Sequence, residues 1–121
     1  MNSAPAPQQR IETFTVADDH LIRSVVPQRG EPYEHRCPRT SYQDIAYAAE
    51  LFSNQPADGG FTLEELAAAA NTPSTQTAVA LAFMKERGCV VTRYRRTYAA
   101  SRCLFEDAMI EYHALHEKDD E

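Results

Sequence analysis

Two capped helical runs joined by three residues, followed at once by a β-type stretch, constrain this chain more than any other feature. Thr62 with Glu65 three residues on is a capping-box pattern, in which each side chain takes up a backbone N–H of the other's residue. The run LEELAAAA behind it has very high helix propensity. Asn71 tolerates the left-handed backbone that stops a helix. Thr72 is then a cap for a third helix, and Pro73 suits its first position. This third helix is expected to run to Arg87 and stop at Gly88. By spacing, its core positions are Ala78, Leu81 and Met84. Val79 and Phe83 are then surplus apolar residues, to be covered by the N-terminal extension, by the last helix or by a partner. CVVTRY and RTYAA follow, β-branched and aromatic, and read as a hairpin. Arg95 and Arg96 fall near its tip, where the lack of Gly, Asn or Asp argues against a tight primed turn.

The flanks are read from the same signals. Ser41, with Asp44 three residues on, is the expected cap of a first helix over residues 41–53, with Ile45, Ala48, Ala49 and Phe52 at helical spacing. Residues 11–40 form an N-terminal extension, mostly extended. IETFTV alternates like a strand, and HLIRSVV after an Asp-Asp pair fits a second strand or a short helix. Ser101 caps a last helix over residues 101–117, where Phe105, Ala108, Met109, Tyr112, Leu115 and His116 recur every three or four residues. Residues 1–10 form an Ala-, Pro- and Gln-rich disordered tail, and residues 118–121 an acidic one. The fold class is therefore α+β, with a central domain over residues 41–100.

Charge is distributed unevenly. The 121 residues carry a net charge of −6, which argues against a general nucleic-acid coat or a polybasic membrane binder. Residues 40–84 hold five acids and no base, whereas residues 85–103 hold Lys85, Arg87, Arg93, Arg95, Arg96 and Arg102 against Glu86 alone. One basic island thus sits at the end of the third helix and on the hairpin. No apolar leader is present and no apolar run is long enough to span a bilayer. Three cysteines that cannot all pair within one chain read as reduced thiols of a cytoplasmic protein.

The segment from Phe61 to Tyr98 resembles the winged helix-turn-helix family of transcription regulators. The likeness rests on Phe61 and Thr62 as the strand entering the second helix, on Glu65, Leu66 and Ala67, and on Lys85, Glu86, Arg87, Gly88, Cys89 and Val90 leading into the wing. It implies binding to double-stranded DNA. Ser74, Thr75, Gln76 and Thr77 at the start of the third helix would meet bases or backbone. Arg93, Arg95 and Arg96 of the wing, extended by Lys85, would meet phosphates or a minor groove. It also suggests a homodimer through the terminal helix, with Phe105, Met109 and Tyr112 at the seam. The alternative is a winged-helix module that docks a protein through Val79 and Phe83 without binding DNA.

Other chemistry has little support. No phosphate-binding loop, dinucleotide fingerprint or nucleophile elbow is present, so no enzyme and no cofactor are expected. His35 with Cys37, and His113 with His116, match no common zinc module, so no metal is expected. Cys103 beside Arg102 at a helix start is the one thiol placed to react, and Cys89 reads as a small buried hydrophobe.

Overall fold

The structure is a computed structural model that describes residues 9–55 and 59–119. Most of the expected N-terminal tail, residues 56–58 of the loop before the second helix and the last two residues of the acidic tail lie outside these. The chain runs β1 (Ile11–Ala17), β2 (His20–Val26), β3 (Tyr33–Pro38), α1 (Arg39–Ser53), α2 (Leu63–Ala70), α3 (Ser74–Glu86), β4 (Val90–Arg93), β5 (Arg96–Ala99), α4 (Leu104–Asp119). The class is α+β: four helices, an antiparallel meander β1-β2-β3 and an antiparallel hairpin β4-β5. This order is compatible with a winged-helix arrangement preceded by a sheet.

Residues 11–40 hold a three-stranded sheet. Ala17 pairs with His20, so Asp18 and Asp19 alone make the first turn, both at positive φ (52° and 59°). Two left-handed residues match the turn to the twist of the strands, and Asp is among the few side chains that accept this backbone. HLIRSVV is thereby a strand. Alternation puts Phe14, Val16, Leu21 and Cys37 on one face, where all four are buried. That face packs on α3, α4 and α1.

This sheet corrects the expected core of the third helix. Val79 and Phe83 are fully buried, with Ala80 and Met84, while Ala78 and Leu81 are only half-buried. The Phe83 ring lies 5.3 Å from that of Phe14 on one side and 6.0 Å from that of Tyr42 on the other. The helix is therefore buried on two sides, by α1 and α2 and by the N-terminal sheet. A stripe deduced from a three-helix core alone falls at the wrong phase, and neither Val79 nor Phe83 presents a docking face.

The helix ends show which local signals prevailed. Thr62 Oγ1 accepts from the Glu65 N–H at 3.1 Å, and the Thr62 N–H donates to Glu65 Oε1 at 2.9 Å. Asn71 is left-handed at φ 55°. α3 starts at Ser74 rather than at Pro73 and has no side-chain cap, because the Thr72 hydroxyl is paired instead with the Thr77 hydroxyl at 2.7 Å. α1 starts at Arg39, two residues before the expected cap Ser41, and also lacks a side-chain cap. Its first N–H donates instead to the Asp19 carbonyl at 2.8 Å, tying the helix to the first β-turn.

α4 places Leu104, Ala108, Tyr112 and Leu115 in the same core and leaves Phe105 and Met109 half-buried against it. Tyr112 is 1 % exposed, with its ring 5.3 Å from that of Tyr42, so it does not form an open seam for a second copy. Tyr42 donates its hydroxyl to the Ala108 carbonyl at 2.7 Å, whereas the Tyr112 hydroxyl is buried with no hydrogen-bond partner among the described residues. An unmet buried hydroxyl costs free energy that its removal recovers. Tyr112→Phe is therefore expected to be as stable as the wild type, or more stable by up to about 1 kcal/mol, in urea melts. A loss above about 2 kcal/mol would show that the hydroxyl is satisfied.

Of the three free cysteines, Cys37 and Cys89 are buried and Cys103 is exposed. Burial pushes the Cys37 thiol up to about 12 and the Cys89 thiol to about 11, so both remain protonated and unreactive. No helix among the described residues is long and apolar enough to cross a membrane.

Candidate nucleic-acid interface

The face of α3 that escapes burial runs from Ser74 and Thr75 along Ala78 and Ala82 to Lys85. Three- and four-residue steps keep these side chains on one side of a helix. Ser74, Thr75 and Lys85 are exposed and Gln76 is half-exposed. The first turn carries no acidic residue and no side-chain cap, so its N–H groups and the positive end of the helix dipole are open to an anion. Thr77 stands apart from its neighbours. It is fully buried, and its hydroxyl donates to the Pro73 carbonyl at 2.9 Å. It fixes the turn between α2 and α3 and does not face outward, which removes it from the expected DNA contacts.

The hairpin flanks this face. Phe61 pairs with Thr97 through two backbone hydrogen bonds of 3.0 and 2.9 Å, which ties the entrance of α2 to β5. Arg93 pairs with Arg96, so the turn is only two residues long, Tyr94 and Arg95. That corrects the expectation of a looser tip. Tyr94 itself takes the left-handed position at φ 58°, a conformation that costs a non-glycine residue free energy. Tyr94 is fully exposed, and Arg93 and Arg95 beside it are exposed as well. The Arg93 guanidinium lies 5.5 Å from the centre of the Tyr98 ring. Gly60 supports that ring from below, since a Cβ there would come within 2.7 Å of it.

The basic island divides into held and free charges. Arg96 donates to the Gly60 carbonyl at 2.8 Å and to Glu65 at 3.2 Å, so it staples the hairpin to the α2 cap. Arg87 reaches Glu86 and Glu111, each at 3.5 Å, and lies 5.1 Å from the Phe83 ring. Lys85, Arg93, Arg95 and, beyond the hairpin, Arg102 are exposed and take part in none of the ion pairs among the described residues.

A groove of about 490 Å³ follows the outward face of α3. Its floor is Ala78, Leu81, Ala82 and Lys85, and one wall carries Thr92 and Thr97 of the hairpin. The other wall carries Arg10, Glu12 and Arg23 from the N-terminal sheet. Arg23 and Glu12 form an ion pair at 2.5 Å, and Arg10 stands 3.8 Å from the same carboxylate. The sequence reading did not assign Arg10 or Arg23 to the interface. The available signal was alternation: Arg23 shares the inward face of β2 with Leu21 and Val25, so it must lie along the edge of whatever covers the sheet.

Among the described residues no group of three or more His, Cys, Asp or Glu side chains is placed to hold a metal ion. No protein-family model matches the chain, and no curated protein and no solved structure shows significant similarity to it.

Proposed function

We propose that the protein is a small DNA-binding regulator that grips a duplex through the first turn of α3 and the tip of the β4-β5 hairpin. One observation carries this reading. The uncapped, acid-free start of α3 carries Ser74, Thr75 and Gln76, the same helix ends at the solvent-facing Lys85 in a groove walled by the hairpin, and that hairpin carries the exposed Arg93 and Arg95 at its tip. Open N–H groups and free guanidinium groups together suit phosphates, and Gln76 and Thr75 offer donors and acceptors to base edges. The five acids and absent bases of residues 40–84 would repel phosphates elsewhere, which confines contact to this face. Because α4 spends Leu104, Ala108, Tyr112 and Leu115 on its own core, a homodimer would have to use other side chains, such as the exposed Ile110.

The reading predicts a shallow salt dependence. Three free cations neutralising three phosphates give a slope of log affinity against log salt of about −2.7. Affinity for a random-sequence duplex should thus fall roughly fortyfold between about 50 and 200 mM salt. Fluorescence anisotropy with a labelled duplex measures it, and a slope steeper than about −6 would point to a broader surface than this one.

A second reading has one observation in its favour. Ala78, Leu81 and Ala82 make an apolar stretch of the groove floor, recessed between two walls, a shape that suits an extended peptide better than a rigid duplex. Here the docking face would be Ala78, Leu81 and Ala82, rather than the buried Val79 and Phe83.

A further inference from the structure

A second groove lies on the other side of the helical core and shares no residue with the one along α3. We propose that this groove, between α1 and α2, docks a basic amphipathic helix of a partner protein. Tyr47 and Leu51 stand four residues apart on α1 and are 54 % and 49 % exposed, although both are large and apolar. Beneath and beside them lie Ala48 and Phe52, and the opposite wall is made by Ala69 and Ala70 at the end of α2. The groove holds about 370 Å³, within the range of sites that seat a ligand. Tyr47 meets Phe105 of α4 edge-on at 6.2 Å, so the apolar strip continues onto a third helix.

The shape fits a helix. A ridge of side chains at i and i+4 facing a wall of alanines leaves a straight furrow, into which another helix lays its own apolar stripe. The charge fits a basic occupant. Asp44 stands at one end of the groove, and no Lys, Arg or His lines it. Across residues 40–84 there is no base to pair with an acidic partner. The same fact disfavours a second copy of this chain. Two-fold pairing sets a patch against itself, so Asp44 would meet its own copy with no base in the groove to offset it. The proposal is independent of DNA binding.

The test uses the full chain and two fluorescent peptides of about 18 residues, long enough to hold a helix. One alternates Leu and Lys at helical spacing, and the other replaces every Lys by Glu. The Leu/Lys peptide is expected to bind wild type in the micromolar range and the Leu/Glu peptide not to bind. Leu51→Lys should weaken binding by at least about tenfold, the worth of one buried leucine anchor. Ile110→Lys makes the same charge change at an exposed apolar residue outside the groove and should weaken it by less than about twofold. Asp44→Asn keeps the apolar strip and should still lower affinity at low salt. Equal losses for Leu51→Lys and Ile110→Lys would overturn the proposal, as would binding of the Leu/Glu peptide. So would sedimentation showing a wild-type dimer that Leu51→Lys converts to monomer, because the groove would then be a seam between copies.

Discussion

Replacing Phe83 by alanine is expected to remove about 3–5 kcal/mol of stability, enough to bring a domain of this size near the limit of folding. The side chain is fully buried and wedged between Phe14, Tyr42 and the Arg87 guanidinium. Truncation loses its transfer free energy and leaves a cavity that two different layers would have to close at once. Its aromatic contacts add to the loss. In thermal melts the shift should be roughly 10–20 °C downward. A surplus apolar residue on an exposed face would behave in the opposite way, with a change within about 0.5 kcal/mol. A variant that melts within a few degrees of wild type would therefore put Phe83 back on the surface and restore it as a docking residue.

Removal of residues 1–38 is expected to abolish cooperative folding of the rest. The residues left behind include all the helices of the described residues, and the sequence alone reads them as a self-sufficient unit. The structure assigns Phe14, Val16, Leu21 and Cys37 to one continuous core with Val79, Phe83, Met84 and Tyr112. Without the sheet, one whole side of α3 would face water, and α1 would lose the bond from Arg39 to Asp19 that replaces a cap. Burying a large side chain contributes about 1.5–3 kcal/mol, so losing several contacts of this kind exceeds the usual margin of stability. Urea titration of the truncated chain should show no sigmoidal transition. A sharp transition at a midpoint close to that of the intact protein would show that the N-terminal sheet is an appendage.

These two predictions mark where the sequence was legible. Local signals that depend on a few adjacent atoms were readable. The Thr62 and Glu65 capping box, the left-handed Asn71, the stop at Gly88 (φ 77°) and the β-hairpin after it all stand in the structure. Signals that depend on what packs against what were not. The stretch STQTAVALAFMKE has apolar residues around most of its circumference, so periodicity could not say which side was covered. The answer came from Phe14 and Leu21, which are far from Phe83 in sequence and share its core. The hairpin tip misled for a different reason. Tyr94 adopts a backbone that Gly or Asn would take more easily, and the pairing of Arg93 with Arg96 holds it there. At the candidate interface, residue type named the candidates and environment sorted them. Ser74, Thr75, Lys85, Arg93 and Arg95 face solvent, Gln76 is half-exposed, Arg96 is engaged with Gly60 and Glu65, and Thr77 holds a turn.

The proposed grip on DNA depends on the exposed arginines at the hairpin tip. The most direct test compares wild type with the double variant Arg93→Glu/Arg95→Glu by anisotropy on a random-sequence duplex at about 50 mM salt, where phosphate contacts are strongest. Both side chains are exposed, and only the Arg93 contact with Tyr98 is lost, so the variant should melt within a few degrees of wild type. Wild type is expected to bind and the folded variant to bind at least about thirtyfold more weakly, since two of three phosphate contacts become repulsive. No binding by wild type at this salt, or equal binding by the two proteins, would contradict the claim.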